Sequence, residues 1–165
     1  MSYFVIIRGP LGCGKSTIAE SLAKILDAEY VSIDKVLKEN GLDKVSPDAE
    51  CIPAANFIRA NELVLPTIKK HLQHGKNVIF DACFYHKEPI DHLIQNLPYD
   101  HYVFTLKAPV EVCIERDCKR GKTHGEDAAR AVHSLVSRFD YGTIIDVTKP
   151  LDKVMQEILS YLPKT

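Results

Sequence analysis

No stretch of this chain stays apolar for the ~20 residues that crossing a bilayer requires, so no membrane-spanning helix is expected. An excess of either charge is also missing: 21 basic residues stand against 22 acidic ones, for a formal net charge of -1. That balance gives no global field to attract nucleic acid or an anionic membrane, and any basic surface must be local. The five cysteines (Cys13, Cys51, Cys83, Cys113 and Cys118) contain no C-x-x-C pair. Their odd number and scatter exclude a disulfide framework and zinc spacing, and fit reduced thiols in a cytoplasm. None has an activating context that would mark it as a nucleophile. The chain starts directly on the strand-like run YFVII without a charged leader region, so no signal peptide is read and a cytoplasmic location is expected. Internal repeats, low-complexity tracts and linkers are absent as well.

What is present is enough for one domain over residues 1–165, with a sizeable core and little room for a second. Strand and helix patterns alternate throughout. Short apolar β-rich runs cover 3–7, 29–33, 76–81, 102–106 and 142–147. Helical spacing covers 15–26, a short segment from Lys35 that Gly41 would stop, and 54–74 with Gly75 as its cap. Pro66 lies inside that third segment and is expected to kink or divide it. Further helices are expected at 86–97, at 109–120 with Pro109 in the first turn, at 126–139 and at 151–162. Residues 41–53, with Gly, Ser and two Pro, read as a loop. The pattern predicts a three-layer α/β domain: a five-stranded parallel sheet with helices on both faces.

Residues 9–17 read GPLGCGKST, and the segment from Gly9 to Ser16 satisfies G-x-x-x-x-G-K-[ST] in full. Glycines permit backbone angles that turn successive N–H groups inward around a β-phosphate. Gly9, Leu11, Gly12, Cys13, Gly14, Lys15, Ser16 and Thr17 are therefore candidates to hold a nucleoside triphosphate. The helix beginning near Lys15 adds its positive end. The Lys15 ammonium can reach the β- and γ-phosphates, and the Ser16 hydroxyl can ligate Mg2+. Asp81 ends an apolar strand, where a carboxylate meets magnesium directly or through water; the alternative is a turn or cap aspartate.

GPLGCGKST, Asp34 after the second strand, NVIFD and the ERDCKR helix together resemble the nucleotide-kinase-like branch of P-loop proteins. That branch includes adenylate, shikimate, gluconate and adenylylsulfate kinases, the chloramphenicol phosphotransferase, zeta toxins and 5′-hydroxyl polynucleotide kinase. The resemblance spans nearly the whole chain. It implies the P-loop NTPase fold with sheet order 2-3-1-4-5, ATP and Mg2+ as cofactors, an acceptor region about 34–75 and a helical lid about 115–138. N-K-x-D and switch features of GTPases are lacking, as are the signatures of motor-type ATPases.

In the hydroxyl kinases of this group the residue matching Asp34 serves as base, and a carboxylate at the sheet's carboxyl edge can take a hydroxyl proton. The alternative is an N-cap for a helix starting at Lys35. Lys38 would bind an anionic acceptor group or be a solvated lysine, since related kinases often have arginine there. Asn56, Arg59 and Asn61 form a polar cluster in the segment over the acceptor site, with Arg59 either a clamp or an exposed helix residue. Tyr85 and His86 are weaker pocket candidates.

Arg116 and Arg120 lie four apart on one helix face, followed by Gly121, Lys122 and Gly125, and resemble the catalytic arginines of the lid. The bland alternative is a set of surface ion pairs, Glu115 with Lys119 and Asp117 with Arg120. Arg138 is a further candidate for substrate contact. Thr148, Lys149 and Pro150 occupy the loop that packs on adenine in similar kinases, or form only a tight turn. The expected function is ATP-dependent transfer of the γ-phosphoryl group to a hydroxyl of a small molecule, or of a nucleic-acid end. A nucleoside monophosphate kinase is the first alternative, and a nucleotide-binding regulatory or RNA-binding module the second.

Overall fold

The computed structural model describes residues 1–48, 51–121 and 125–164; the lid candidate Lys122 and His124 lie outside them. Five parallel strands are laid down in the order β2-β3-β1-β4-β5. They are β1 (Tyr3–Arg8), β2 (Glu29–Ser32), β3 (Val78–Ala82), β4 (Asp100–Lys107) and β5 (Thr143–Asp146). β1 is central and pairs with β3 on one side and β4 on the other. No strand separates the phosphate-loop strand from the strand carrying Asp81, as the resemblance implied.

Because both sheet faces are covered, β1 and β3 are buried at every position, and side-chain alternation divides the core in two. Phe4, Ile6, Phe80 and Ala82 face one cluster, and Tyr3, Val5, Ile7 and Ile79 face the other. The first is covered by α2 (Ile33–Glu39), α3 (Ala54–Gln73), α4 (Glu88–Asn96) and α6 (Glu126–Val136). The second is covered by α1 (Lys15–Leu26), α5 (Val110–Lys119) and α7 (Leu151–Ser160). Among the described residues no helix is long and apolar enough to cross a membrane.

Three local outcomes differ from the sequence expectation. α3 is one helix that runs through Pro66. Pro66 and Glu62, whose carbonyl loses its helical donor, are both exposed, so water can satisfy the orphan. α2 starts at Ile33, not Lys35, and its cap is Ser32, whose hydroxyl accepts from the Lys35 N–H at 3.2 Å. Asp34 therefore stands in the first turn of α2 with its carboxylate free of the capping duty. Lastly α6 ends at Val136, so Arg138 lies beyond the helix.

β1 extends one residue further than its apolar run, to Arg8, which is fully buried. Its guanidinium donates to the carbonyls of Phe84, Phe139 and Val136 and to the Thr105 hydroxyl. It also lies 4.4 Å from the centre of the Phe139 ring. Burial pulls its pKa down to about 10, which leaves the cation intact at neutral pH. This one side chain ties the end of β1 to the end of α6 and the loop after β3.

Candidate active site

The site forms where β1, β2 and β3 end, at the carboxyl edge of the sheet. β1 runs into the glycine-rich loop, which delivers the chain to α1. Gly9 is tightly packed, since a Cβ there would lie 3.0 Å from both Cys13 Sγ and Leu106 Cβ. Gly12 has φ 78°, and a Cβ on it would collide with the Cys113 carbonyl of α5. Only glycine lets the loop take this left-handed turn and rest directly on α5. Gly14, at φ 93°, precedes the first turn of α1.

Lys15 opens α1 and is almost wholly buried, yet it stays charged. Its ammonium donates to Asp81 Oδ1 at 2.7 Å and to Asp34 Oδ2 at 3.3 Å. Burial alone would lower its pKa; the nearby Asp34, and after it Cys83 and Asp81, more than reverse this and hold it well above the ordinary lysine value. Asp34 Oδ1 accepts in addition from the Cys83 N–H at 3.4 Å. The Asp34 carboxylate is thus held on two sides, by an ammonium and by a backbone amide.

Tyr30, which sequence reasoning passed over, completes the cluster. Its hydroxyl donates to Asp81 Oδ2 at 2.5 Å. Burial first and Asp81 second raise its pKa, so it remains a donor at neutral pH. Ser16 stands next to Lys15 at the start of α1, and Lys15 in turn donates to Asp81. A hydroxyl and a carboxylate are the kind of hard oxygen donors that magnesium takes when it keeps most of its waters. Among the described residues no group of three or more His, Cys, Asp or Glu forms a denser metal cage.

Three cavities surround this cluster. The smallest, about 140 Å³, lies over the loop and is bordered by Gly12, Gly14, Lys15, Ser16, Asp34 and Arg120. A second, about 330 Å³, is bordered by Gly12 to Gly14, Thr17, Arg116, Arg120, Val147 and Lys149. The third, about 610 Å³, opens on the opposite side of Asp34 and Leu11, beneath α6. Asp34 and Leu11 border both the smallest and the largest cavity. A further cavity of about 440 Å³, behind Pro10 and beside His133, touches neither Lys15 nor Asp34.

The sequence candidates fall into distinct places. Arg116 donates to the carbonyls of Cys13 (2.8 Å) and Val147 (2.7 Å), binding the phosphate loop to the segment after β5. Arg120 faces the cavity over the loop. Lys149 borders the second cavity and pairs with Glu157 at 3.4 Å. Thr148 turns its N–H and hydroxyl to Asp146, and Pro150 precedes the first turn of α7. Lys38 borders the large cavity. Asn56 instead donates to the Leu42 carbonyl at 3.1 Å, Arg59 is exposed on α3, and Asn61 is buried with its amide on the Pro89 carbonyl of α4. Neither Asn56 nor Arg59 borders the large cavity, and Arg138 borders none of these cavities. Glu115 pairs with Lys119 at 3.1 Å, while Asp117 is buried and accepts from the Gly125 N–H.

The profile of an AAA-domain family matches residues 4–140, from β1 through α6. The chain belongs to that family. Shikimate kinase 2 of Escherichia fergusonii is 23% identical, the match covering 96% of this chain and 91% of the relative. An unliganded sugar kinase structure from Janibacter superposes with a TM-score of 0.80 at 16% identity, covering 98% of this chain and 94% of that one. An APS kinase of Mycobacterium tuberculosis, solved with AMPPNP and APS, gives a TM-score of 0.73 at 18% identity over 96% of each chain. The two structures share the overall fold of this chain, and all three proteins are named as kinases.

Proposed function

We propose that this protein is an ATP-dependent kinase that transfers the γ-phosphoryl group to a hydroxyl of a small molecule. The observation that carries the reading is the position of Asp34, shared by the cavity over the phosphate loop and the large cavity beneath α6. A carboxylate at that junction, fixed by Lys15 and the Cys83 N–H, meets the requirement for a base between donor and acceptor.

The phosphates of ATP lie along the loop amides and the start of α1, where N–H groups and the helix dipole favour anions. Ser16 and Asp81 would hold magnesium, which when bound would neutralise phosphate charge. The acceptor oxygen forms a bond to the γ-phosphorus as the bond to the β,γ-bridging oxygen breaks, and ADP leaves. Asp34 takes the hydroxyl proton. Lys15 and Arg120 balance negative charge that spreads over the transferring group. Arg116 acts through the loop backbone it holds, and Lys149 with the neighbouring Thr148 and Pro150 forms one wall for the nucleotide base.

The test is γ-phosphate transfer to a panel of alcohols, with AMP and CMP as controls. Asp34→Ala should leave ATP affinity within about threefold and lower transfer by roughly a hundredfold or more, the usual contribution of a positioned base. Transfer at the parent rate in that variant removes Asp34 as base. Phosphorylation of AMP or CMP in preference to every alcohol replaces the reading with a nucleoside monophosphate kinase.

A further inference from the structure

The large cavity says more about the acceptor than that it carries a hydroxyl. We infer that the acceptor is an uncharged alcohol with an apolar, ring-bearing body, an inference that rests on the kinase reading above. At about 610 Å³ the cavity has the size of sites that enclose drug-sized molecules. Its walls come from five places: Leu37 of α2, Ile52 of the preceding loop, Phe57 of α3, Tyr85 after β3, and Val132 and Leu135 of α6. Ala128 and Ala131 continue the α6 wall, giving an apolar stripe at i, i+3, i+4 and i+7. α6, within the segment expected to form the lid, therefore roofs the acceptor cavity with aliphatic side chains.

Most polar atoms of this wall are already engaged. Tyr85 accepts the Ile52 N–H at 2.8 Å, so its hydroxyl keeps a single proton to donate beside the broad face of its ring. Phe57 and Tyr85 meet edge to face with centroids 5.2 Å apart, the arrangement that aromatic partners extend. The Cys83 N–H is given to Asp34. Four charged residues border the cavity, and Lys35, Lys38 and Asp43 are exposed. Asp34 alone lies inward, next to the phosphate loop. Among the described residues no arginine lines the space.

This distribution discriminates between acceptor classes. A buried carboxylate or phosphate needs a buried cation or several donors, and among the described residues the interior offers neither. A polyol would set its extra hydroxyls against Leu37, Val132 and Leu135 without partners, each weakening binding roughly tenfold. An alcohol with one reactive hydroxyl and an aromatic or alicyclic body places that hydroxyl at Asp34 and its carbon skeleton along the wall.

The experiment uses the full chain with ATP and magnesium, and compares 2-phenylethanol, indole-3-ethanol and cyclohexylmethanol with gluconate, shikimate and glycerol. Phosphate esters are read by mass spectrometry. Binding of 2-phenylethanol in the presence of AMPPNP is read separately by calorimetry. The expected result is a kcat/KM for the ring alcohols at least a hundredfold above that for gluconate and shikimate. Val132→Asp, and separately Ala131→Trp at an exposed site that tolerates bulk, should each raise the KM for 2-phenylethanol tenfold or more. Preferred phosphorylation of gluconate, shikimate or glycerol overturns the apolar class and leaves the kinase standing. Binding of the ring alcohols without transfer to any alcohol supports the apolar site and overturns the kinase reading. Absence of both binding and transfer for the ring alcohols overturns the inference.

Discussion

Arg8 and Arg116 show how a single cation can organise backbone that no secondary structure satisfies. Arg8 is buried with three carbonyls and the Thr105 hydroxyl as partners, and those carbonyls belong to separate loops and a helix end. Arg8→Met keeps the bulk and strips the carbonyls of their donors, each worth about 1–3 kcal/mol when left buried and unpaired. The expected loss is roughly 3 kcal/mol or more in urea unfolding, and a loss under about 1 kcal/mol would contradict the role given to Arg8. Arg116 and Arg120, four residues apart, should separate in the same way. Arg116→Ala frees the carbonyls of Cys13 and Val147, so both the melting temperature and ATP affinity should fall. Arg120→Ala, which removes no described hydrogen bond, should lower kcat tenfold or more with the melting temperature nearly unchanged. Equal melting shifts in the two variants would refute the distinction.

At the scale of elements, α3 and α6 are the informative pair. α3 retains Pro66 at the cost of one helical hydrogen bond on its wet side. Pro66→Ala restores that bond to the Glu62 carbonyl and a better helix former, offset in part by a more flexible unfolded chain. A net gain of about 1 kcal/mol is expected in urea unfolding, and a loss would mean that the proline has a packing role. The apolar stripe of α6 covers a cavity as well as core, and its C-terminal end is held by Arg8 through the Val136 carbonyl.

For the whole molecule, the buried thiols set a pH limit. Burial pushes Cys13 up to about 12 and Cys83 well above its ordinary 9.0. Both thiols stay protonated in the folded protein while the unfolded chain releases its protons above about pH 9. The folded state then binds more protons than the unfolded one, and stability falls as pH rises. It is fully present below pH 9 and declines toward 12 by at most about 1.4 kcal/mol per pH unit for each thiol. Arg8, whose pKa is lowered, acts with the opposite sign but only from about pH 10 upward. The midpoint of urea unfolding should therefore be lower at pH 10 than at pH 8, and an unchanged midpoint would show that neither thiol differs between the two states.

The order of strands and helices and the phosphate loop were legible from the chain alone, because period-2 and period-3.6 patterns and G-x-x-x-x-G-K-S act over a few neighbouring residues. Strand ends were placed within two residues, and Asp34 was visible because it follows an apolar strand. Other features belonged to no local pattern. Tyr30 reaches Asp81 because β2 pairs with β3 in a register that sets Ser32 beside Asp81. Lys15 finds carboxylates 19 and 66 residues away in sequence, Arg8 finds acceptors 76 to 131 residues away, and Ser32 in place of Asp34 caps α2 by a choice of helix start that either residue type permits. Such contacts depend on strand order and register, which only the packed sheet specifies. Short-range periodicity determined the elements of this protein, and their long-range packing decided which side chains became a site.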